Sequence, residues 1–345
     1  MKSKQNDTQK TPAQGIGPDG EGLVFLISAP RSGSTLVQHM LGAHLEILTL
    51  PEPWLMLPLA YSLRDRGTSA EYHAGFAHTA LMGFLSRVDG GVEAYQRDLR
   101  QLARDLYSRA LRRHPGTRVF VDKTPRYYLI IPELCTIFPR ARFVLLARNP
   151  LAVFASIHRT SLRGNMRGFA QRPRLNDILS APRCIAEGVD VVGSRGILVR
   201  YEEVVADPRE QVERICALLG VAFEEEMLDY GGKVLFKDTT FVDPKSIYRH
   251  TRPVSNYTEA WISHFSTPQM RGIARDYLAE LGDEVLTRLG YDAASILGTL
   301  ATADAAGQGA GRNAFQRLPF PWRLLTTPRE DMSWAHRLAF DSLCV

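Results

Sequence analysis

The sequence has few cysteines, and none of them stands in a pattern that carries chemistry. Its 345 residues include four cysteines, without a C-x-x-C pair or a paired Cys/His spacing. A disulfide framework is therefore not indicated, and the pattern argues against a structural zinc site. Scattered cysteines of this kind are mostly small buried hydrophobic residues. The four are Cys135, Cys184, Cys216 and Cys344.

Long apolar runs are also missing. No stretch approaches the ~20 apolar residues that a membrane-spanning helix needs. Residues 1–21 are polar and contain Gly and Pro, without the apolar segment of a secretory signal. We therefore expect a flexible leader over residues 1–21, no membrane span and a cytoplasmic location.

Basic clusters are absent as well. The formal net charge is +5, but no Lys/Arg block or aromatic-basic repeat of a nucleic-acid-binding protein occurs. The mild surplus fits either a solvated basic surface or a preference for anionic ligands. We expect no nucleic-acid partner, and the sequence leaves the oligomeric state open.

What is present is an alternation of short apolar runs and helical patterns. A chain of this length can form one large α/β domain or two modest ones. Near-continuous apolar runs predict strands covered on both faces, and the intervening helices predict a parallel sheet. The predicted strands are Leu23–Ser28, Ile47–Leu50, Arg118–Asp122, Arg142–Ala147 and Gly196–Val199. The predicted helices are Thr35–His44, Trp54–Arg64, Val92–Arg113, Tyr127–Phe138, Leu151–Arg159 and Pro208–Leu219.

Composition divides the chain into four parts. After the leader, we expect the α/β domain over residues 22–298, with substrate loops in the longer crossovers 68–91 and 161–183. An Ala/Gly/Asp-rich stretch predicts a linker over residues 299–311. Residues 312–345 are too apolar for a free tail, so we expect them to pack onto the body or a partner. Their large aromatic residues are Phe315, Phe320, Trp322 and Trp334.

The most informative stretch is Pro30-Arg-Ser-Gly-Ser-Thr35, called the first loop below, between the first strand and the first helix. Such a loop aims backbone N–H groups and a helix N-terminus at one point, which suits a phosphate-like oxyanion. Gly33 permits close backbone approach, Ser34 adds a hydroxyl and Arg31 adds a cationic fork. The pattern G-x-x-x-x-G-K-[ST] is not matched, which argues against ordinary ATP or GTP chemistry.

Two side chains of opposite charge follow the second and third strands. Both belong to the edge of a parallel sheet where ligands bind. Glu52 could act as a general base, or it could be an acid stabilised by the N-terminus of the next helix. The spacing alone favours the second interpretation. Lys123 could neutralise charge on a leaving oxygen, or it could be a solvated surface lysine. Thr124 could cap the helix that follows.

Further polar residues follow the fourth and fifth strands. Arg148 ends a core strand, where an arginine needs an anionic partner or water. Asn149 is predicted to cap the next helix, in which Ser156 is either a ligand-binding hydroxyl or a small residue at a packing face. Tyr201 could contact a purine base or cover the core. The basic residues 245–252 fit a ligand-binding or a solvated loop.

In this order, these segments resemble the sulfotransferases that use 3′-phosphoadenosine 5′-phosphosulfate (PAPS). The likeness covers roughly residues 22–262 and is nearest to the protein-tyrosine sulfotransferase branch and related bacterial sulfotransferases. It implies a P-loop-type α/β domain with a central parallel sheet flanked by helices. It further implies metal-free transfer of a sulfuryl group from PAPS to an acceptor hydroxyl, with 3′-phosphoadenosine 5′-phosphate (PAP) as the product. We expect the acceptor to be a small molecule or a carrier-bound metabolite.

The resemblance also implies residue roles. Glu52 matches the catalytic glutamate and Lys123 the catalytic lysine, with Arg31 assisting at the leaving phosphate. The residues implied for the nucleotide are Arg31, Ser32, Gly33, Ser34 and Thr35 at the 5′-phosphosulfate, Arg148 and Ser156 at the 3′-phosphate, Tyr201 at the adenine, and Ser246 to Arg252 in a closing loop.

The sequence departs from the family pattern in places. Arg31 stands where the cytosolic branch usually has Lys, and Pro125 stands where that branch has a His, so a histidine base there is excluded. Arg159 is offset by one from the second arginine of the 3′-phosphate site, and His250 is a second candidate for the base. The alternatives are a nucleotide-dependent kinase, disfavoured by the missing Walker lysine, and an inactive nucleotide-binding module, disfavoured by the two catalytic candidates.

Overall fold

The computed structural model describes residues 15–68, 70–232, 251–255 and 258–305. The described residues form a five-stranded sheet in the order β2-β3-β1-β4-β5, in which every neighbouring pair is parallel. The strands are β1 (Leu23–Ser28), β2 (Ile47–Thr49), β3 (Val119–Lys123), β4 (Arg142–Ala147) and β5 (Gly196–Arg200). The predicted parallel α/β architecture is confirmed.

Helices connect the strands and follow the last of them. The α-helices are α1 (Ser34–Gly42), α2 (Met56–Tyr61), α3 (Ala74–Leu85), α4 (Gly91–Arg112), α5 (Ile131–Ile137), α6 (Pro150–Ser156), α7 (Arg172–Leu175), α8 (Ala181–Val192), α9 (Tyr201–Ala206), α10 (Pro208–Leu219), α11 (Pro268–Leu281), α12 (Asp283–Arg288) and α13 (Ala293–Ala305). A 3₁₀ helix over Pro125–Ile130 precedes α5, and a π-helical turn over Ile157–Ser161 extends α6.

The sheet is buried on both faces because its side chains alternate between two apolar clusters. On β1, Phe25 and Ile27 pack into one cluster, whereas Val24 and Leu26 pack into the other. Both faces of the strand are therefore apolar, which explains the near-continuous hydrophobic run in the sequence.

Several element boundaries differ from the prediction. The helix predicted from Trp54 begins at Met56, because Trp54 has a left-handed backbone with φ 55°. The predicted crossover 68–91 contains the helix α3. The helix predicted from Tyr127 begins as the 3₁₀ turn over Pro125–Ile130 before α5. Hydrophobic periodicity locates each element but not the local dihedral angles at its ends.

The body of the fold includes part of the predicted leader. Ile16 is buried, and its backbone N–H donates to the Ser108 hydroxyl of α4 at 3.0 Å. Asp19 forms an ion pair with Arg100 of the same helix. Residues 1–14 and 306–345 lie outside the described residues, and with them the second part of the predicted linker and the whole C-terminal extension, so the predicted domain bounds stay predictions. The first part of that linker, residues 299–305, belongs to the helix α13.

The topology gathers the candidate residues at one edge. In a parallel sheet all carboxyl ends point the same way, and ligands bind in the crevice beyond them. The residues that end or follow the strands there are the first loop after β1, Glu52 after β2, Lys123 on β3, Arg148 after β4 and Tyr201 after β5. Within the described ranges, no helix is both long and apolar enough to span a membrane.

Candidate active site

The first loop turns sharply from β1 into α1. Gly33 is the N-cap residue of α1 with φ 90°, and Arg31 also has a positive φ of 70°. No side-chain hydrogen bond caps the helix at Gly33, and the first N–H groups of a helix have no acceptor within the helix. The α1 dipole places partial positive charge at the same point. The local geometry therefore has the features of an oxyanion cradle.

Two arginines and a serine meet beside this loop. The Arg31 Nε donates to the Ser156 Oγ at 3.1 Å, which joins the first loop to the end of α6. Arg148 Nη1 donates to the Arg31 carbonyl oxygen at 3.0 Å. Burial lowers the pKa of Arg148, and the neighbouring Arg31 acts in the same direction. Cationic charge is therefore concentrated where β1 and β4 end. The Arg31–Ser156 bond joins residues that are 125 positions apart along the chain.

Tyr201 closes the same corner from β5. The Arg148 guanidinium lies over its ring, 4.2 Å from the centroid, in a cation–π contact. A Cβ built on Gly33 would lie 2.3 Å from the Tyr201 Cδ2 atom, so glycine is required here both by space and by its positive φ. The loop, Arg148 and Tyr201 therefore form one packed unit.

The other half of the edge holds a buried ion pair. Lys123 Nζ donates to Glu52 Oε1 at 2.6 Å, and the two side chains are 1% and 10% exposed. The Trp54 indole Nε1 donates to Glu52 Oε2 at 3.2 Å. Lys123 is thus not a solvated surface lysine. Glu52 is held by side chains rather than only by the next helix N-terminus.

The chain segment that carries Glu52 is fastened at both ends. This segment, residues 50–55, is called the glutamate loop below. Gln38 of α1 donates through Nε2 to the Thr49 Oγ1 at 2.8 Å and to the Leu50 carbonyl at 2.9 Å. At the other end, the Trp54 backbone N–H donates to Thr124 Oγ1 at 3.4 Å. The positive φ of Trp54 turns its indole back toward Glu52, two residues earlier.

A histidine and a carboxylate that the sequence did not single out flank Lys123. Burial, followed by the charge of Lys123, lowers the pKa of His39 to about 4, so its imidazole is neutral near pH 7. Burial raises the pKa of Asp122 to about 6. The Thr124 hydroxyl donates to Asp122 at 2.9 Å and makes no cap bond to the following helix, which corrects the predicted cap. In contrast, Asn149 caps α6 as predicted, because its side chain accepts from Leu151 N at 2.9 Å.

The predicted closing loop is only partly described. Ser246 and His250 lie outside the described residues. Arg252 is exposed and pairs with Asp229 at 3.2 Å, and its carbonyl accepts from the Tyr230 hydroxyl. The Tyr230 ring lies 6.0 Å from that of His39 on α1, so this segment is anchored to the helix of the first loop.

One further candidate, Arg159, stands apart from the described contacts at this edge. Arg159 is exposed on the π-helical turn after α6, and no contact ties it to Arg148 or Ser156. Among the described residues, no three His, Cys, Asp or Glu side chains form a group that could hold a metal ion. Cys135, Cys184 and Cys216 are buried and form no disulfide among the described residues, as expected of scattered cysteines.

Comparison with known proteins identifies the family. A family model described as "Sulfotransferase family" matches residues 24–225, which is more than half of the chain. The chain belongs to the sulfotransferase family. The matched region begins in β1 and ends beyond α10, so it contains the first loop, Glu52, Lys123, Arg148, Ser156 and Tyr201.

Individual relatives of this sulfotransferase-family chain are distant. It is 29% identical over 301 residues to nodulation protein NoeE of Sinorhizobium fredii, covering 78% of this chain and 66% of that protein. It is 26% identical over 281 residues to protein-tyrosine sulfotransferase A of Caenorhabditis elegans, covering 78% and 67%. The chain therefore spans about two thirds of the length of these curated relatives.

A solved structure shows that the fold is shared. The sulfotransferase domain from the curacin biosynthetic pathway superposes with a TM-score of 0.52 at 21% identity, covering 78% of this chain and 97% of that domain. The predicted fold class and family resemblance are thus confirmed, whereas the roles of individual residues stay predictions.

The sulfotransferase fold brings together the predicted site in two groups. One group contains Arg31, Gly33, Arg148, Ser156 and Tyr201, and the other contains Glu52 and Lys123. Ser32 is buried in the turn of the first loop, where its N–H donates to the Ala29 carbonyl at 3.3 Å. Sequence reasoning missed Trp54, which the helical pattern assigned to a helix. It also missed Asp122, whose acidic side chain within an apolar strand was the available signal.

Proposed function

We propose that the chain transfers a sulfuryl group from PAPS to a hydroxyl of a small molecule or a carrier-bound metabolite and releases PAP. The observation that carries this proposal is the buried Glu52–Lys123 pair at the same sheet edge as the cationic first loop. The register places Lys123 beside Leu26 on the adjacent strand, two residues before the end of β1. A base, a cation and an anion cradle therefore adjoin one another.

The residues at this edge fit a nucleotide with two separate phosphate groups. Arg31 and the uncapped N-terminus of α1 supply donors for one group, and Arg148 with Ser156 supplies donors for another. The Ser28 hydroxyl at the end of β1 is fully buried and has no hydrogen-bond partner among the described residues. Such an orphaned donor beside a cationic loop favours an anionic ligand. The Tyr201 ring beside these donors is the candidate to contact the base of the nucleotide.

The bound nucleotide would supply an activated sulfuryl group, joined through oxygen to phosphate. Glu52 is the candidate to accept the proton of the attacking hydroxyl, because its carboxylate is bonded to Lys123 at the carboxyl edge of the sheet. Lys123 is paired with Glu52 at 2.6 Å and can stabilise negative charge on an oxygen at the ends of β1 and β3. Arg31, fixed by Ser156, adds a second cation at that position.

A transfer assay tests this function directly. Purified chain is incubated with ³⁵S-labelled PAPS and a panel of phenols, sugars, aliphatic alcohols and a tyrosine peptide. We expect label in at least one hydroxyl acceptor and equimolar PAP. Parallel reactions with ATP labelled with ³²P at the γ-phosphate should leave the same acceptors unlabelled. Phosphorylation instead of sulfation would make the kinase alternative correct, and PAP binding without transfer would favour the inactive module.

A further inference from the structure

Asp122 is a fully buried carboxylate to which the proposed reaction gives no role. It immediately precedes Lys123 on β3 and is 0% exposed. Burial raises its pKa to about 6, while hydrogen bonds from three hydroxyl groups and the charge of Lys123 oppose that shift. At neutral pH the carboxylate is therefore mainly ionised, and an ionised carboxylate can only accept hydrogen bonds.

Three hydroxyl groups donate to this carboxylate. Thr124 Oγ1 donates to Oδ1 at 2.9 Å, whereas the Tyr107 and Tyr127 hydroxyls donate to Oδ2 at 2.6 and 2.9 Å. We call these four residues the Asp122 network. Each hydroxyl has one proton, which it donates to Asp122. In any further hydrogen bond the hydroxyl oxygen must therefore be the acceptor.

Two of the three hydroxyls use that capacity to hold the chain around the glutamate loop. Thr124 Oγ1 accepts from the Trp54 backbone N–H at 3.4 Å. The Tyr127 hydroxyl accepts from the Met56 backbone N–H at 3.0 Å. Asp122 therefore sets the direction of both bonds without touching the loop.

The loop needs such support because of its backbone. Trp54 adopts a φ of 55°, in the left-handed region that is unfavourable for a bulky residue. In that conformation its indole N–H reaches Glu52 Oε2, while Lys123 holds Oε1. Lys123, which holds one oxygen of Glu52, lies on β3. Trp54, which holds the other, is bonded through its backbone to Thr124, the residue after β3.

We propose that Asp122 is a positioning residue for Glu52, acting through Thr124 and Tyr127 on the backbone of Trp54 and Met56. This inference rests on the proposed function, in which Glu52 is the base. It predicts that the two hydroxyls through which Asp122 reaches the backbone of Trp54 and Met56, those of Thr124 and Tyr127, affect the chemical step and leave nucleotide binding unchanged. Residues of the network act through others, so none of them needs to touch the substrate.

Tyr107 and Tyr127 provide a matched pair of variants. Both are buried, and both hydroxyls donate to the same oxygen of Asp122. Only the Tyr127 hydroxyl also accepts from the Met56 N–H; in the described part of the chain, the Tyr107 hydroxyl makes no bond to residues 50–56. Tyr107→Phe and Tyr127→Phe therefore each remove one hydroxyl bond to Oδ2 of Asp122, and only the second also removes the acceptor of the Met56 N–H.

The first measurement needs no substrate. Amide hydrogen exchange on the full chain should show faster exchange at Met56 in Tyr127→Phe than in Tyr107→Phe, after correction for global stability from thermal unfolding. In the transfer assay, Tyr127→Phe should lower kcat about tenfold, which is part of the ~10²-fold that a misplacement of about 1 Å can cost. The KM for PAPS should stay within about twofold, and Tyr107→Phe should keep most of its kcat.

Thr124 gives an independent check if the tyrosine variants fold poorly. Thr124→Ser keeps the hydroxyl and should keep kcat, whereas Thr124→Val removes it and should lower kcat. Equal kcat and equal Met56 exchange in the two tyrosine variants would overturn the proposal, as would equal kcat in the two Thr124 variants.

A Glu52→Gln background separates this proposal from the proposed function. If Glu52→Gln keeps its turnover, Glu52 is not the base and the proposed mechanism fails. If Glu52→Gln loses turnover, Tyr127→Phe should add little further loss in that background. If Tyr127→Phe still lowered kcat tenfold in the Glu52→Gln background, Tyr127 would not act through Glu52. The positioning role would then be wrong, while the proposed function would stand.

Discussion

The two halves of the sheet edge hold their charges differently. At the ends of β1 and β4, the hydrogen bonds of Arg31 and Arg148 end on a hydroxyl and a carbonyl oxygen, so the cationic charge is not neutralised by those bonds. At the ends of β2 and β3, Lys123 is bonded to the carboxylate of Glu52. The first half brings two guanidinium groups together beside a helix N-terminus, and the second pairs a cation directly with a carboxylate.

The halves also differ in what holds them. The arginine half is fixed by direct contacts among its own candidate residues, including the packing of Tyr201 on Gly33 and Arg148. The glutamate half is fixed from behind, by the buried Asp122 network and by Gln38 of α1. We therefore expect changes in the first half to act on binding and changes in the second to act on turnover.

The largest expected effect is that of Glu52→Gln. Glutamine keeps the size of the side chain but cannot take a proton near neutral pH, so turnover should fall by ~10²–10⁴-fold. Binding of PAP, measured by calorimetry, should change little. Thermal stability should also fall, because loss of one partner from a buried ion pair costs about 3–5 kcal/mol.

The double variant Glu52→Gln/Lys123→Met is the control for that loss of stability. It removes both charges and should recover much of the unfolding temperature without recovering turnover. Wild-type turnover in the single variant would exclude Glu52 as the base. Loss of PAP binding in both variants would contradict the division of the edge into two halves.

The next effect in size is that of Arg148→Ala. A charge-assisted hydrogen bond is worth roughly 1.5–3 kcal/mol, so PAP should bind about tenfold more weakly or worse, whereas ADP, which has no 3′-phosphate, should bind as before. Calorimetry of both nucleotides gives the affinity ratio, which separates the 3′-phosphate contact from general damage to the site.

Arg200→Ala is the matched control for this variant. Arg200 is paired with Ala147 in the β4–β5 register, one strand away from Arg148, but its guanidinium bonds Glu203. This variant should leave the PAP to ADP ratio unchanged. If it lowered the ratio as much as Arg148→Ala, the 3′-phosphate assignment would lose its support.

The smallest expected effect is that of metal removal. Because Arg31, Lys123 and the α1 N-terminus supply the positive charge at the edge, we expect turnover to survive prolonged treatment with EDTA. The assay is repeated after dialysis and after addition of Mg²⁺. Abolished turnover that Mg²⁺ restores would shift the interpretation toward kinase-like chemistry.

Much of the fold and part of the site could be predicted from local sequence. Apolar runs located all five strands, and the order of strands and helices indicated a parallel sheet. The turn chemistry around Gly33 and the cap at Asn149 were also predictable, because a helix start depends on a few neighbouring residues. Family resemblance then singled out Glu52, Lys123 and Arg148 for roles that stay predictions.

What the sequence by itself determined is therefore the alternation of elements and the loop that joins β1 to α1, since both follow from interactions within a few residues. Only the tertiary structure decided which charges are paired. Lys123 and Glu52 are 71 residues apart, and Arg31 and Ser156 are 125 residues apart. Their contacts depend on the strand order of the sheet, and the burial that gives Asp122 and His39 their shifted pKa values depends on packing from several elements at once.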